Sequence, residues 1–81
     1  MTICAKLFAA ARQVVGGESI EVQLHDGATV ADLRQALAAT HPELQALLPH
    51  AAFAVDEEYA PDTQKLNEQQ SVACIPPVSG G

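Results

Sequence analysis

The sequence has no tryptophan, and Phe8, Phe53 and Tyr59 are its only aromatic residues. A core must therefore be assembled mostly from Ala, Val, Ile and Leu. Strong cations are as scarce: Lys6, Arg12, Arg34 and Lys65 stand against ten acids, for a net charge of −6. Nucleic acid rewards clustered Lys and Arg that neutralise phosphates, and no such cluster exists. A basic protein partner fits this charge through complementary potential, and so does plain solubility. Cysteine is limited to Cys4 and Cys74, too few for a secreted disulfide framework. No apolar run approaches the ~20 residues that span a bilayer. The N-terminus carries no charged n-region, h-region or cleavage site, so the expected compartment is the cytoplasm.

The ingredients of an active site are missing too. His25, His41 and His50 fall in turn contexts without ligand-like spacing, and there is no C-x-x-C. Asp56-Glu57-Glu58 reads as a solvated turn, which lacks the burial that shifts a carboxyl pKa. Gly16-Gly17 alone is not a phosphate loop. The expectation is a chain that binds no metal and no cofactor of its own.

What is present is a clear succession of elements in 81 residues, enough for one domain over residues 1–81 that buries roughly 60–65% of its unfolded surface. In "TICAKLF", Ile3, Ala5 and Leu7 alternate with Cys4, Lys6 and Phe8, which predicts a strand. "AAARQVV" predicts one or two helical turns closed by Gly16-Gly17. "ESIEVQL" alternates again and ends at the Asp26-Gly27 turn. Thr29 opens the main helix through the capping pattern "TVAD". Val30, Leu33, Ala36 and Leu37 share one helical face, leaving Asp32, Arg34 and Gln35 towards water. His41-Pro42 ends it, because the residue before proline avoids the helical region. "PELQALL" adds a further turn with Leu44, Leu47 and Leu48 beneath the core. "AFAV", a tight turn at "DEE", a short strand near 58–60, a loop over 61–70 pinned by Leu66, and "SVACI" complete the chain.

Two strands, one long helix and then further strands predict an α+β fold, a mixed sheet packed on that helix. With the first and last strands side by side in the middle, this is the β-grasp, or ubiquitin-like, arrangement. On such a sheet the two sulfurs lie on opposite faces and cannot pair. Phe8 and Ile75 fall on the uncovered face, with Lys6 and Arg12 nearby. A contiguous apolar patch marks an interface, whereas isolated exposed apolar residues need no explanation.

The chain ends "ACIPPVSGG". Pro76 and Pro77 favour extended geometry and donate no backbone hydrogen bond, so they stiffen a flexible tail over residues 76–81. Gly80 and Gly81 lack side chains and can thread a narrow channel, presenting an ionised carboxylate. A carboxylate acylates poorly, so chemistry at Gly81 requires activation elsewhere. Read on these properties alone, a functional tail and a frayed end stand level.

"LFAAARQVVGG", "GATVADLRQAL" and the terminal "PPVSGG" resemble the small, sulfur-carrying subunit of molybdopterin synthase, the MoaD family, over essentially the whole chain. The resemblance implies a mechanism. An E1-like adenylyltransferase of the MoeB type, using ATP and Mg²⁺, adenylates Gly81, and a sulfurtransferase relay converts it to a thiocarboxylate. The tail then enters a large subunit of the MoaE type and gives its sulfur to cyclic pyranopterin monophosphate. By the same resemblance, Phe8, Arg12, Ile75, Pro76, Pro77, Val78 and Ser79 meet the partners, Gly80 and Gly81 are the working end, and two small and two large subunits form a heterotetramer. The small subunit donates sulfur without catalytic residues of its own. Two departures stand out: Cys74-Ile75 replaces an aromatic pair common in relatives, and Glu68-Gln69-Gln70 replaces an Asp-Gly turn. The competing expectations are a carrier for thiamine synthesis or tRNA thiolation, and a ubiquitin-like modifier joined to lysine.

Overall fold

The computed structural model describes residues 1–77; the expectations for Val78, Ser79, Gly80 and Gly81 lie outside them. Strand β1 (Thr2–Leu7) runs into a short helix α1 (Ala9–Val15), whose C-cap Gly16 takes the left-handed conformation at φ 78. This is the position where glycine escapes the Cβ penalty. Strand β2 (Ser19–Gln23), helix α2 (Val30–Thr40), two 3₁₀ turns (Pro42–Leu44 and Leu48–His50) and strands β3 (Ala52–Val55), β4 (Glu58–Ala60) and β5 (Val72–Ile75) follow. The strands form one five-stranded sheet in the order β2-β1-β5-β3-β4. β1 and β5 pair in parallel at its centre, and the other pairs are antiparallel.

Register decides which side chains share a face. Ala5 stands opposite both Ile20 and Val72, and Cys74 stands opposite both Leu7 and Phe53. These residues, with Ile3, Val22 and Val55, are buried against Val30, Leu33 and Leu37 of α2. Each Val, Leu, Ile or Phe among them contributes roughly 1.5–3 kcal/mol on removal from water. Leu44 and Leu48 from the 3₁₀ turns and Leu66 from the long loop close the core from below and from the side.

The capping box of α2 forms as the sequence predicts. Thr29 N–H donates to Asp32 Oδ2 at 2.9 Å, and Asp32 N–H donates to Thr29 Oγ1 at 3.4 Å. The Thr29 backbone donor holds the Asp32 carboxyl below its usual range, and the Thr29 hydroxyl, donating to Oδ2 at 3.2 Å, adds to this. The next exposed donors of the helix start find carbonyls in the long loop: Val30 N–H meets Gln64 O at 2.9 Å and Ala31 N–H meets Asp62 O at 3.0 Å. At the β3–β4 hairpin, Asp56 and Glu57 both have positive φ, 51° and 71°, the two-residue turn that matches strand twist. Before β5, Asn67 replaces the Asp-Gly turn by accepting from Gln69 N–H (3.0 Å) through its side chain and from Gln70 N–H (3.2 Å) through its carbonyl.

One helical assignment is corrected. Arg34 does not point to water: its side chain is only 21% exposed and bonds the carbonyl oxygens of Leu48 and Ala51. A periodicity count reads charge as outward, but a long side chain at the edge of the apolar stripe can lay its stem on the core and turn its head onto backbone carbonyls.

Candidate functional site

The site is built at the end of the sheet from which the C-terminal segment departs. β1 and β5 run side by side, so their ends coincide. Leu7 pairs with Cys74, and Phe8 N–H continues the ladder by donating to Cys74 O at 3.2 Å. Phe8 thereby lies next to Ile75 in register. It is extended (φ −124, ψ 156) and serves as the N-cap of α1, with the residue 46% exposed. Ala9 then turns the chain at φ 49, a left-handed conformation that costs a non-glycine residue on the order of 1–2 kcal/mol. That corner lets Phe8 stay on the open face while α1 folds back and buries Ala11.

The open face of the sheet follows from the same registers. Tyr59, Ala54, Ala73 and Lys6 form a row across β4, β3, β5 and β1. Tyr59 is 75% exposed, and Cys4 lies on this face too. Sequence reasoning assigned no role to Tyr59; its place on the open face follows from its pairing opposite Ala54, which the sequence does not show. Phe8 and Ile75 border separate depressions. A cleft of about 310 Å³ is lined by Cys4, Lys6, Phe8, Arg12 and Glu18. A groove of about 510 Å³ is lined by Ala9, Ala10, Gln13, Leu47, Ile75, Pro76 and Pro77. Arg12, in the last turn of α1, is exposed and pairs with Glu18 at 2.8 Å.

The two prolines differ. Pro77 is exposed, but Pro76 is largely buried and shows only at the wall of the groove. Among the described residues, no group of three His, Cys, Asp or Glu is placed to hold a metal, and no helix is long and apolar enough to cross a membrane.

The cysteines fall on opposite faces, Cys4 exposed and Cys74 buried, both as free thiols. Burial pushes the Cys74 thiol up from 9.0 to about 11, partly offset by the charge of Arg34. A thiol held neutral is a poor nucleophile. Alkylation of the native protein near neutral pH is expected to modify Cys4 and spare Cys74, read by peptide mass; equal labelling would place Cys74 at the surface. The raised value has a sign for stability. Below about pH 9 both states keep the proton; above it, the unfolded chain gains by ionising while the fold resists up to about 11. Stability therefore falls through that window, and replacing Cys74 by Val should flatten the fall in a urea titration.

A mixed sheet grasping one helix, with a segment leaving the end of the central strand, defines a ubiquitin-like β-grasp protein. The chain belongs to the ThiS family, whose model matches residues 5–81. Among curated proteins it is similar to the molybdopterin synthase sulfur carrier subunit of Chlamydomonas reinhardtii, 37% identical with both chains fully covered. Among solved structures it is similar to SAMP1 of Haloferax volcanii, a small archaeal modifier protein, with a TM-score of 0.85, 30% identity and full coverage of both chains. It shares its fold with a chain from the complex of subunits 1 and 2 of the molybdopterin-converting factor of Helicobacter pylori, with a TM-score of 0.68, 20% identity and full coverage of both.

Proposed function

We propose that this chain is the sulfur-carrier subunit of a cytoplasmic molybdopterin synthase and that Gly81 is its working group. The observation that carries the reading is the "PPVSGG" end following directly on the central strand β5, in a chain 37% identical over its full length to a relative named as such a subunit. In this reading the Gly81 carboxylate displaces pyrophosphate from ATP, with Mg²⁺, inside an E1-like adenylyltransferase. Sulfide-level sulfur then attacks the acyl carbon, expels AMP and leaves a thiocarboxylate. The chain itself supplies no acid, base or metal: it supplies reach, a bare acyl terminus and a docking face.

A large synthase subunit is the proposed acceptor, in an assembly of two small and two large subunits. The Helicobacter pylori complex of subunits 1 and 2, on the same fold, supports a partner of this kind. Phe8, Ile75 and Pro77 stand at the tail root and Arg12 lines the cleft beside Phe8, where such a partner would meet the chain. Partly exposed aromatic residues of this kind are the usual carriers of interface energy. Phe8→Ala is expected to weaken large-subunit binding by about 2 kcal/mol or more while changing folding stability by less than about 1 kcal/mol. Calorimetric titration beside urea unfolding separates the two, and equal losses would put Phe8 in the core.

The deciding experiment is intact mass after incubation with ATP, an E1-like enzyme and a sulfur donor. Exchange of one C-terminal oxygen for sulfur is the expected result. A second reading, a ubiquitin-like modifier, is favoured by the similarity to SAMP1. Lysine conjugates of this chain in cell extracts, with no thiocarboxylate, would transfer the assignment to it.

A further inference from the structure

Arg34 joins four separate parts of the chain through one side chain. Its Nη1 donates to the carbonyl of Leu48 and, at 2.8 Å, to that of Ala51. Its Nη2 donates to Asp62 Oδ1 at 2.8 Å, and its guanidinium carbon sits 4.9 Å from the centre of the Phe53 ring. One side chain of α2 thus holds the last 3₁₀ turn, the residue preceding β3, the long loop and the largest buried ring.

The segment it holds leads to the tail root. Ala52, directly after the Arg34-bound Ala51, pairs with Ile75, the last residue of β5. Leu47, directly before the bound turn, walls the groove beside Pro76 and Pro77. This stretch has little regular structure of its own: its internal bonds include the 3.2 Å pairs His50 N–H to Leu47 O and Ala51 N–H to Leu48 O. The buried Nε of Arg34 has no partner among the described residues, so its place is held despite an unsatisfied donor. A planar fork reaching two carbonyls and a carboxylate at once is a geometry that lysine cannot reproduce.

We infer that Arg34 is a positioning residue for the C-terminal segment. It fixes residues 48–51, and through them the final rung of the sheet, Ala52 opposite Ile75, from which Pro76 and Pro77 depart. What that positioning serves rests on the carrier reading above; the clamp itself rests on the geometry alone. A terminus that must enter a partner's narrow site is sensitive to the direction in which its root points: a misdirected root weakens entry and raises KM, while a terminus once seated reacts with its kcat unchanged.

The test compares wild type, Arg34→Met, Arg34→Lys and Asp62→Asn at a temperature where circular dichroism shows all four folded. Two quantities are read: amide hydrogen exchange by segment, and the kinetics of C-terminal activation by an E1-like enzyme with ATP and sulfide. For Arg34→Met, exchange over residues 48–53 and 72–75 should rise about tenfold or more while β1–β2 is unchanged. KM for activation should rise about tenfold at nearly constant kcat. Arg34→Lys should recover part of both, and Asp62→Asn, which removes only a half-exposed ion pair, should move neither beyond about twofold. A uniform rise of exchange across the sheet, an unchanged segment 72–75, or an unaltered KM overturns the inference. Failure of the wild-type chain to be activated at all would sink the carrier reading instead, and segmental exchange would still decide on Arg34.

Discussion

Deletion of Gly81 is expected to abolish sulfur loading and leave the folding transition where it was. Among the described residues, the core runs from Ile3 to Cys74, and a glycine brings no side chain to a core, so the folding transition is expected to stay in place. The truncated chain still ends in a glycine carboxylate, Gly80, so the effect isolates reach from chemistry. One residue fewer withdraws the acyl carbon by up to ~3.3–3.6 Å. Reacting atoms must come within about 3–3.5 Å, so such a withdrawal removes the productive geometry altogether. Intact mass after treatment with ATP, E1-like enzyme and sulfide gives the loading, and a thermal melt gives the stability. A truncated chain that loads fully would end the case for Gly81 as the working group.

The largest loss of stability is expected from Phe53→Ala. Phe53 is 1% exposed, lies opposite Cys74 on the central strand and receives the Arg34 guanidinium over its ring. Large-to-small changes at such aromatic sites cost about 3–5 kcal/mol through lost transfer energy and the cavity left behind. At roughly 0.05–0.15 kcal/mol per residue, an 81-residue domain holds only about 4–12 kcal/mol in total. One substitution therefore removes a large part of it. Urea unfolding measures the change directly, and a loss below about 1 kcal/mol would mean that the site collapses without a cavity. The contrast with Phe8 is instructive, because the same residue type at 46% exposure belongs to the surface and its loss should register in binding.

Much of this is legible in the sequence. Alternation in "TICAKL" and "SIEVQ" places Ile3, Ala5, Leu7, Ile20 and Val22 inward, and the structure buries all of them. The Thr29–Asp32 capping box and the Asp56-Glu57 turn were readable for the same reason: each depends on residues a few positions apart. Arg34 was misread because periodicity reports where a Cβ points and not where a long side chain ends. Pro76 is expected to meet the partners, and the sequence does not show that most of its ring is buried, because that depends on neighbours far away in the chain. Tyr59 went unassigned because strand pairing, not sequence neighbourhood, sets it beside Ala54 on the open face.

By itself, the sequence determined the local elements, the polarity of each strand face and the Gly-Gly end, because these follow from spacing, capping chemistry and the absence of side chains. Tertiary structure alone decided that β1 and β5 lie together, that Phe8 therefore sits beside Ile75 at the tail root, and that Arg34 reaches from α2 to the backbone leading there. These relations join residues dozens of positions apart. They are fixed only when burial of one common core selects a single register among the pairings that local pattern leaves open.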